Sequence, residues 1–267
     1  MIKALWQTTL LVRASLILHF VAFLILFISP THWHWVLATL ITNHLVLAIG
    51  GLWPRSNWLG PNWTQLPDAA AKRNEIALTI DDGPDPEVTP RVLDMLERHG
   101  VQATFFIIGE RAIRYPDVCR EIVRRGHTIE NHSQQHCHNF AFLGLAGFTR
   151  ELQAAQSTLT TLTGQRPLFF RAPAGFRNPF LEPVLRRLGL LLVSWSVRGF
   201  DTRVSNAEQV KHKLLTGLRS GAIVLLHDGH AARTQAGTPV ILEVLPVLIH
   251  AAAASNLRFV SLRQALS

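Results

Sequence analysis

The chain is short of cysteine and of acidic side chains, and it has no glycine-rich phosphate loop. Two cysteines, Cys119 and Cys137, stand in 267 residues. That excludes a disulfide framework and permits a reducing compartment without proving one. Cys137 lies between His136 and His138, but no second cysteine stands at ligand spacing, so it reads as a bystander rather than a metal thiolate. Asp and Glu number 18 against 26 Lys and Arg, a net charge of +8. The basic residues are scattered and lack an interleaved aromatic platform, which argues against nucleic acid as a partner. Attraction to anionic membrane lipid or to a phosphorylated carrier fits the charge better. No Gly-x-Gly-x-x-Gly follows the first strand-like run, which disfavours a nucleotide-binding open sheet.

What the chain has in excess is apolar sequence, 48% of residues, and the surplus is at the front. Two transmembrane helices are predicted, at about residues 10–29 and 33–53, separated by Ser29-Pro30-Thr31. The first reaches full length only if it extends past Arg13, whose side chain can snorkel to the headgroups. His19, His34, Asn43 and His44 are polar intrusions in the pair. A signal peptide followed by a buried helix is the alternative; the length of the second stretch and the lack of a small-residue cleavage site speak against it. Tryptophans 33, 35, 53, 58 and 63 suit an interfacial belt. Lys3 and Arg13 flank the first segment, the connecting loop carries no lysine or arginine, and Arg55, Lys72 and Arg73 follow the second. The expectation is a protein anchored in the inner or cell membrane with its catalytic domain in the cytoplasm. A single-span topology would place that domain outside.

Residues 54–74, rich in Pro, Gly, Ser and Asn, read as a linker, and 75–267 as the catalytic domain. In that domain strand-like runs at 76–81, 102–108, 127–131, 167–171, 190–196, 222–227 and 257–261 alternate with helix-like runs at 89–99, 111–125, 147–163, 179–188, 206–219 and 238–253. This β-α rhythm predicts an α/β fold with parallel strands, a distorted (β/α)7-type barrel behind a transmembrane helical hairpin.

Polar residues gather at the C-terminal ends of these strands: Asp81 and Asp82, His132, Arg171, Asp201, and His227 with Asp228. In a parallel barrel those ends converge on one face, where such folds build their sites. Paired acids repel unless a cation lies beside them, so Asp81-Asp82-Gly83-Pro84 is either a metal or acid/base site or an ordinary solvated turn. His132 and His136 have the i, i+4 spacing that puts both imidazoles on one face of a helical turn. With one carboxylate they make a three-ligand set that leaves positions open for water and substrate. Position 133 is serine, so this is not the protease pattern His-Glu-x-x-His, and a general base must come from the other aspartate.

From Ile76 to the C-terminus the chain resembles the polysaccharide deacetylase family, the NodB homology domain of carbohydrate esterase family 4. The motifs carrying the resemblance are Thr79-Ile80-Asp81-Asp82-Gly83, His132 to His136, Arg171-Ala172-Pro173-Ala174-Gly175, and Leu225-Leu226-His227. The resemblance implies a divalent metal ion, zinc or cobalt, on Asp82, His132 and His136. It implies Asp81 as general base and His227 as general acid, Arg171 holding Asp81 in its charged form, and Asp201 orienting His227 and raising its pKa. Ala174, through its main-chain N–H, together with Gly175 and Leu225, would meet the substrate. The implied reaction removes an N-acyl group, acetyl first, from an amino sugar of a lipid-linked or polymeric glycan.

The family's Asp-x-x-Asp-Trp motif is altered here to Arg198-Gly199-Phe200-Asp201-Thr202. Losing the tryptophan removes one wall of the acyl pocket, so Phe200 or Phe176 replaces it or the acyl group differs, formyl being one option. Arg198 and Arg177 either meet an anionic substrate or are solvated surface charges. Trp195 reads as core, and Glu110 as a first-turn helix acid. The altered motif also keeps open a non-catalytic glycan-binding or scaffolding role.

Overall fold

A computed structural model describes residues 8–267; Lys3 lies outside the described residues. Two apolar helices open it, α1 (Leu10–Ile28) and α2 (Trp33–Leu52), joined by a 3-10 turn over Pro30–His32. Both are long and apolar enough to cross a bilayer. They turn Leu16, Ile17, Phe20, Phe23, Ile41 and Leu45 outward. Between them Asn43 Nδ2 donates to Ser15 Oγ at 2.9 Å, so the Asn43 amide has a partner inside the helix pair.

The sheet comprises β1 (Glu75–Gly83), β2 (Thr104–Ile107), β3 (Thr128–Asn131), β4 (Phe169–Phe170), β5 (Leu191–Leu192), β6 (Val197–Arg198), β7 (Ile223–His227) and β8 (Arg258–Val260). Seven run in the order β5-β4-β3-β2-β1-β7-β6 and β8 pairs with the start of β1, every pair parallel. This is the expected distorted barrel, open as a half-barrel. Within the run expected at 190–196 only Leu191–Leu192 is a strand; β6 begins just past it at Val197, and between the two Ser194 N–H donates to Trp63 O and Ser196 N–H to Ile223 O. The helix expected at 111–125 is likewise two, Gly109–Arg114 and Pro116–Arg124, because proline cannot donate to a continuing helix.

Side chains alternate along the strands. On β1, Ile76, Leu78 and Ile80 point out into the apolar layer beneath the helices, whereas Ala77 packs in the barrel interior with Phe106, Phe169 and Ile223. Thr79 and Asp81 share that inward parity. On β7, Val224 and Leu226 face the helices, and Ile223, Leu225 and His227 have the inward parity. Asp81 is in register with His227, so two polar residues stand side by side at the top of adjacent strands.

The stretch 54–74, expected as a linker, is built into the domain. Trp63 N–H donates to Leu192 O at 2.9 Å and Leu66 N–H to Gly221 O at 2.8 Å, filling the gap between β5 and β7. Ser56, Leu59, Leu66 and Ala70 are buried. Its loop-like composition serves a path that hugs the barrel without forming a ladder of its own. The end of α2 docks on the same side. Arg177 N–H donates to Gly51 O at 3.1 Å, and a Cβ at Gly51 would overlap the Arg177 carbonyl oxygen, so only glycine allows the approach.

Candidate metal and catalytic site

Strict alternation would send Asp82 to the face opposite Asp81. Instead the β1–β2 register shifts between Asp81 and Gly83, and Asp82 takes a left-handed φ of 70°. Such a bulge re-aims a side chain, and here it brings both carboxylates to one cleft. Asp82 Oδ1 lies 3.2 Å from Nε2 of His132 and 3.2 Å from Nε2 of His136. The ligand atoms of these three residues fall within 4.8 Å of one another.

The two histidines do not lie on a helical turn, as their spacing led us to expect. Ser133 (φ 64°) and His136 (φ 53°) are both left-handed, and the segment is a loop. Ser133 N–H donates to Asn131 Oδ1, and His136 N–H to Ser133 Oγ, and these bonds hold the turn that converges the rings.

The donor set suits a divalent metal. His132 Nδ1 donates to the Arg171 carbonyl at 2.8 Å, which leaves Nε2 as the free lone pair aimed at the cluster. Burial, reinforced by the neighbouring His132, lowers the His136 pKa to about 4, so its ring is neutral at neutral pH, as a ligand must be. Burial opposes the charge on Asp82, yet the neighbouring His132 and His230 imidazoles hold its carboxyl well below the usual range.

Beside the cluster, Arg171 is buried to 1% exposure. Its Nη1 donates to Asp81 Oδ1 at 2.6 Å and to Thr79 Oγ1 at 2.9 Å, Nη2 to Ser194 O at 2.8 Å, and Nε to Val193 O at 3.2 Å. The guanidinium also stacks on Phe106, 4.1 Å from the ring centre. Every face of this buried cation is occupied, which fixes the Asp81 carboxylate in one orientation. On the adjacent strand β7, His227 Nδ1 donates to Asp201 Oδ1 at 2.9 Å, and His227 N–H to Asp201 Oδ2 at 2.7 Å. Burial works against a charge on His227, but the Asp201 carboxylate outweighs it and raises the pKa to about 9.

Asp81, Asp82, His132, His136 and His227 line a cleft of about 350 Å³ together with Ala174, Gly175 and Leu225, whereas the buried Arg171 and Asp201 do not line it. Ala174 is left-handed (φ 54°). The next two amides, Gly175 and Phe176, fold back onto Ala172 O and Pro173 O, while the Ala174 N–H has no partner among the described residues.

Sequence reasoning misplaced several residues. Asp228 stands at a strand end but turns away, accepting from Thr89 Oγ1 and Gly229 N–H. Arg177 is buried and donates to Ser56 O, so it secures the start of the domain and meets no substrate. Trp195 is buried as expected, at 7% exposure, and also lines the cleft, as do His138, Thr202, Arg203 and His230. His230 Nδ1 lies 3.5 Å from Asp82 Oδ2. No motif flagged His230, because its position depends on its own left-handed φ of 58° after β7.

A half-barrel with an Asp-His-His cluster, flanked by an arginine-held aspartate and an aspartate-held histidine, is the layout of a metal-assisted hydrolase. The comparisons with known proteins agree. The polysaccharide deacetylase family profile matches residues 68–193. A peptidoglycan-N-acetylglucosamine deacetylase of Bacillus cereus is 31% identical over 201 residues, 73% of this chain and 72% of that one. A chitooligosaccharide deacetylase of Azorhizobium caulinodans is 37% identical over 158 residues, 59% of this chain and 75% of its own length. Among solved structures, that of the Bc1960 peptidoglycan N-acetylglucosamine deacetylase superposes with a TM-score of 0.69 at 29% identity, over 76% of this chain and 92% of that one. The chain belongs to the polysaccharide deacetylase family.

Proposed function

We propose that this protein is a membrane-tethered, metal-dependent hydrolase that removes an N-acyl group, acetyl first, from an amino sugar of a lipid-linked or polymeric glycan. The observation that carries the reading is the Asp82-His132-His136 cluster in one cleft with Asp81 and His227, a base and an acid side by side on adjacent strands. A divalent cation on those three residues, zinc or cobalt, would acidify a water and polarise the acyl carbonyl.

The chain's own groups supply the rest. Asp81, held by Arg171, takes the proton of the attacking water. The Ala174 N–H donates to the carbonyl oxygen as it gains charge. His227, kept protonated by Asp201, delivers a proton to the sugar nitrogen as the C–N bond breaks; an amide needs this because an amine anion is a poor leaving group. Gly175 and Leu225 shape the floor for the sugar. The apolar helices anchor the protein in the membrane, and the distribution of Lys and Arg supports a cytoplasmic catalytic domain.

The test is acid release by the full chain, loaded with zinc or cobalt, from chitooligosaccharides, peptidoglycan and lipid-linked N-acyl amino sugars. Acetate from at least one of these is expected. Absence of both acetate and formate across the panel would refute the reading. Reporters fused after Ser267 and active on one side of the membrane only would decide the topology, with signal from the inner reporter expected.

A further inference from the structure

A second cavity, about 490 Å³, adjoins the catalytic cleft and shares Trp195 and Arg198 with it. Its other walls include Trp53 and Arg55, which follow directly on α2, with Phe200 and Lys213 opposite. No acidic residue lines it. The Arg198 guanidinium sits 5.2 Å from the Trp195 ring centre and 5.0 Å from that of Phe200, and Lys213 Nζ lies 4.9 Å from the Phe200 ring centre. Arg198 Nε is buried without a hydrogen-bond partner, a condition native proteins seldom leave unrelieved. Among the described residues none of Arg55, Arg198 and Lys213 forms a salt bridge; Arg55 and Lys213 are exposed, while the half-buried Arg198 differs in this from Arg111, Arg125, Arg171, Arg186 and Arg263.

Three unpaired cations around a pocket between the end of a membrane-length helix and a sugar-processing cleft define an anion subsite in a particular place. We infer that the groove binds the phosphate that joins the substrate's amino sugar to a membrane lipid, so that the favoured substrate is a lipid-phosphate-linked N-acyl amino sugar. The inference deepens the deacetylase reading and rests on it. The sugar occupies the cleft beside Asp81 and His227, the phosphate meets Arg198, Arg55 and Lys213 through charge-assisted hydrogen bonds, and the lipid leaves past Trp53 along α2. Arg198, in the altered Asp-x-x-Asp-Trp motif, then serves selection. A neutral polymer makes no use of the groove.

The test uses the full chain in nanodiscs of neutral lipid, loaded with zinc. Two substrates are compared: N-acetylglucosamine joined through diphosphate to a short polyprenol, and a neutral chitooligosaccharide. The lipid-linked substrate is expected to have the higher kcat/KM by roughly tenfold or more, the scale of one or two charge-assisted contacts, and the doubly substituted Arg55→Gln/Lys213→Gln protein is expected to lose that ratio. Equal kcat/KM values in the unsubstituted protein, or a ratio that survives the double substitution, would overturn the inference. So would a dependence on Arg55 and Lys213 seen only in binding to phosphatidylglycerol vesicles, since the cations would then serve the bilayer. A second readout needs no turnover. In the Asp81→Asn protein, inorganic pyrophosphate is expected to change the fluorescence of the tryptophans lining the groove, and the change should vanish when Arg55 and Lys213 are also replaced. No response to pyrophosphate refutes the groove even if deacetylation is observed; a response without turnover on either substrate refutes the deacetylase reading alone.

Discussion

The two sides of the catalytic cleft treat charge in opposite ways. On the β1 side each ionisable group has a partner: Asp81 has Arg171, and Asp82 has His132 and His136. On the neighbouring strand β7, His227 has Asp201. On the side of the altered motif, Arg198 lies between two aromatic rings with no carboxylate in contact, and Arg55 and Lys213 stand with it. Paired buried charges are locked, and a locked group can be ready for chemistry before substrate arrives. Unpaired cations are competent to receive a ligand but do not orient one another. We read the paired wall as built for reaction and the unpaired one as built for recognition.

The largest effect should come from the paired wall. Asp81→Asn keeps the size of the side chain and removes the base, so kcat should fall by roughly 10² to 10⁴ with metal content retained, as measured by elemental analysis of the same preparation. His132→Ala should lose both metal and turnover. If Asp81→Asn also lost the metal, the division of labour between the two adjacent aspartates would be wrong.

Arg171→Met tests what the locking is worth. It leaves Asp81 buried beside no cation, and the folded state should lose about 3–5 kcal/mol, measured by denaturant unfolding of the detergent-solubilised protein. A smaller effect comes from Asp201→Asn. His227, raised to about 9 by Asp201, must be protonated to act as the acid, so activity is present below its pKa and lost as pH rises through it. Removing the Asp201 charge lowers that pKa, and the alkaline limb of the kcat/KM profile should move to lower pH. A limb that stays in place would assign the acid elsewhere.

The smallest expected effect lies where the hairpin meets the barrel. Gly51→Ala gains helix propensity but forces a Cβ against the Arg177 carbonyl, and a net loss of about 1–3 kcal/mol is expected, read as a lower thermal midpoint. Such a loss would show that α2 is docked and not merely tethered.

Much of the site was legible because its residues stand at strand ends, and parallel topology carries strand ends to one face. Asp81, His132, Arg171, Asp201 and His227 needed only that rule. Asp82 and His136 were legible as residue types, but their geometry was not: alternation would have pointed Asp82 the other way, and i, i+4 spacing implied a helix where a left-handed loop does the work. His230 escaped notice, and Trp195 read as core without its place on the cleft, because each reaches the cleft through a local break in regular structure, and no pattern of two or 3.6 residues encodes that. The same holds for 54–74, where Pro and Gly mark irregular backbone but do not say whether it is free or packed.

What the sequence by itself determined is the order and period of the elements, the two apolar helices, and which side chains are available for chemistry, because periodicity and residue type are local properties. Only the tertiary structure decided which of the charged residues meet. Arg177 and Arg198 are alike as letters. One is buried against Ser56 and the other faces a groove beside the cleft, because burial and partnership are set by segments distant in the chain, and no window of sequence contains them.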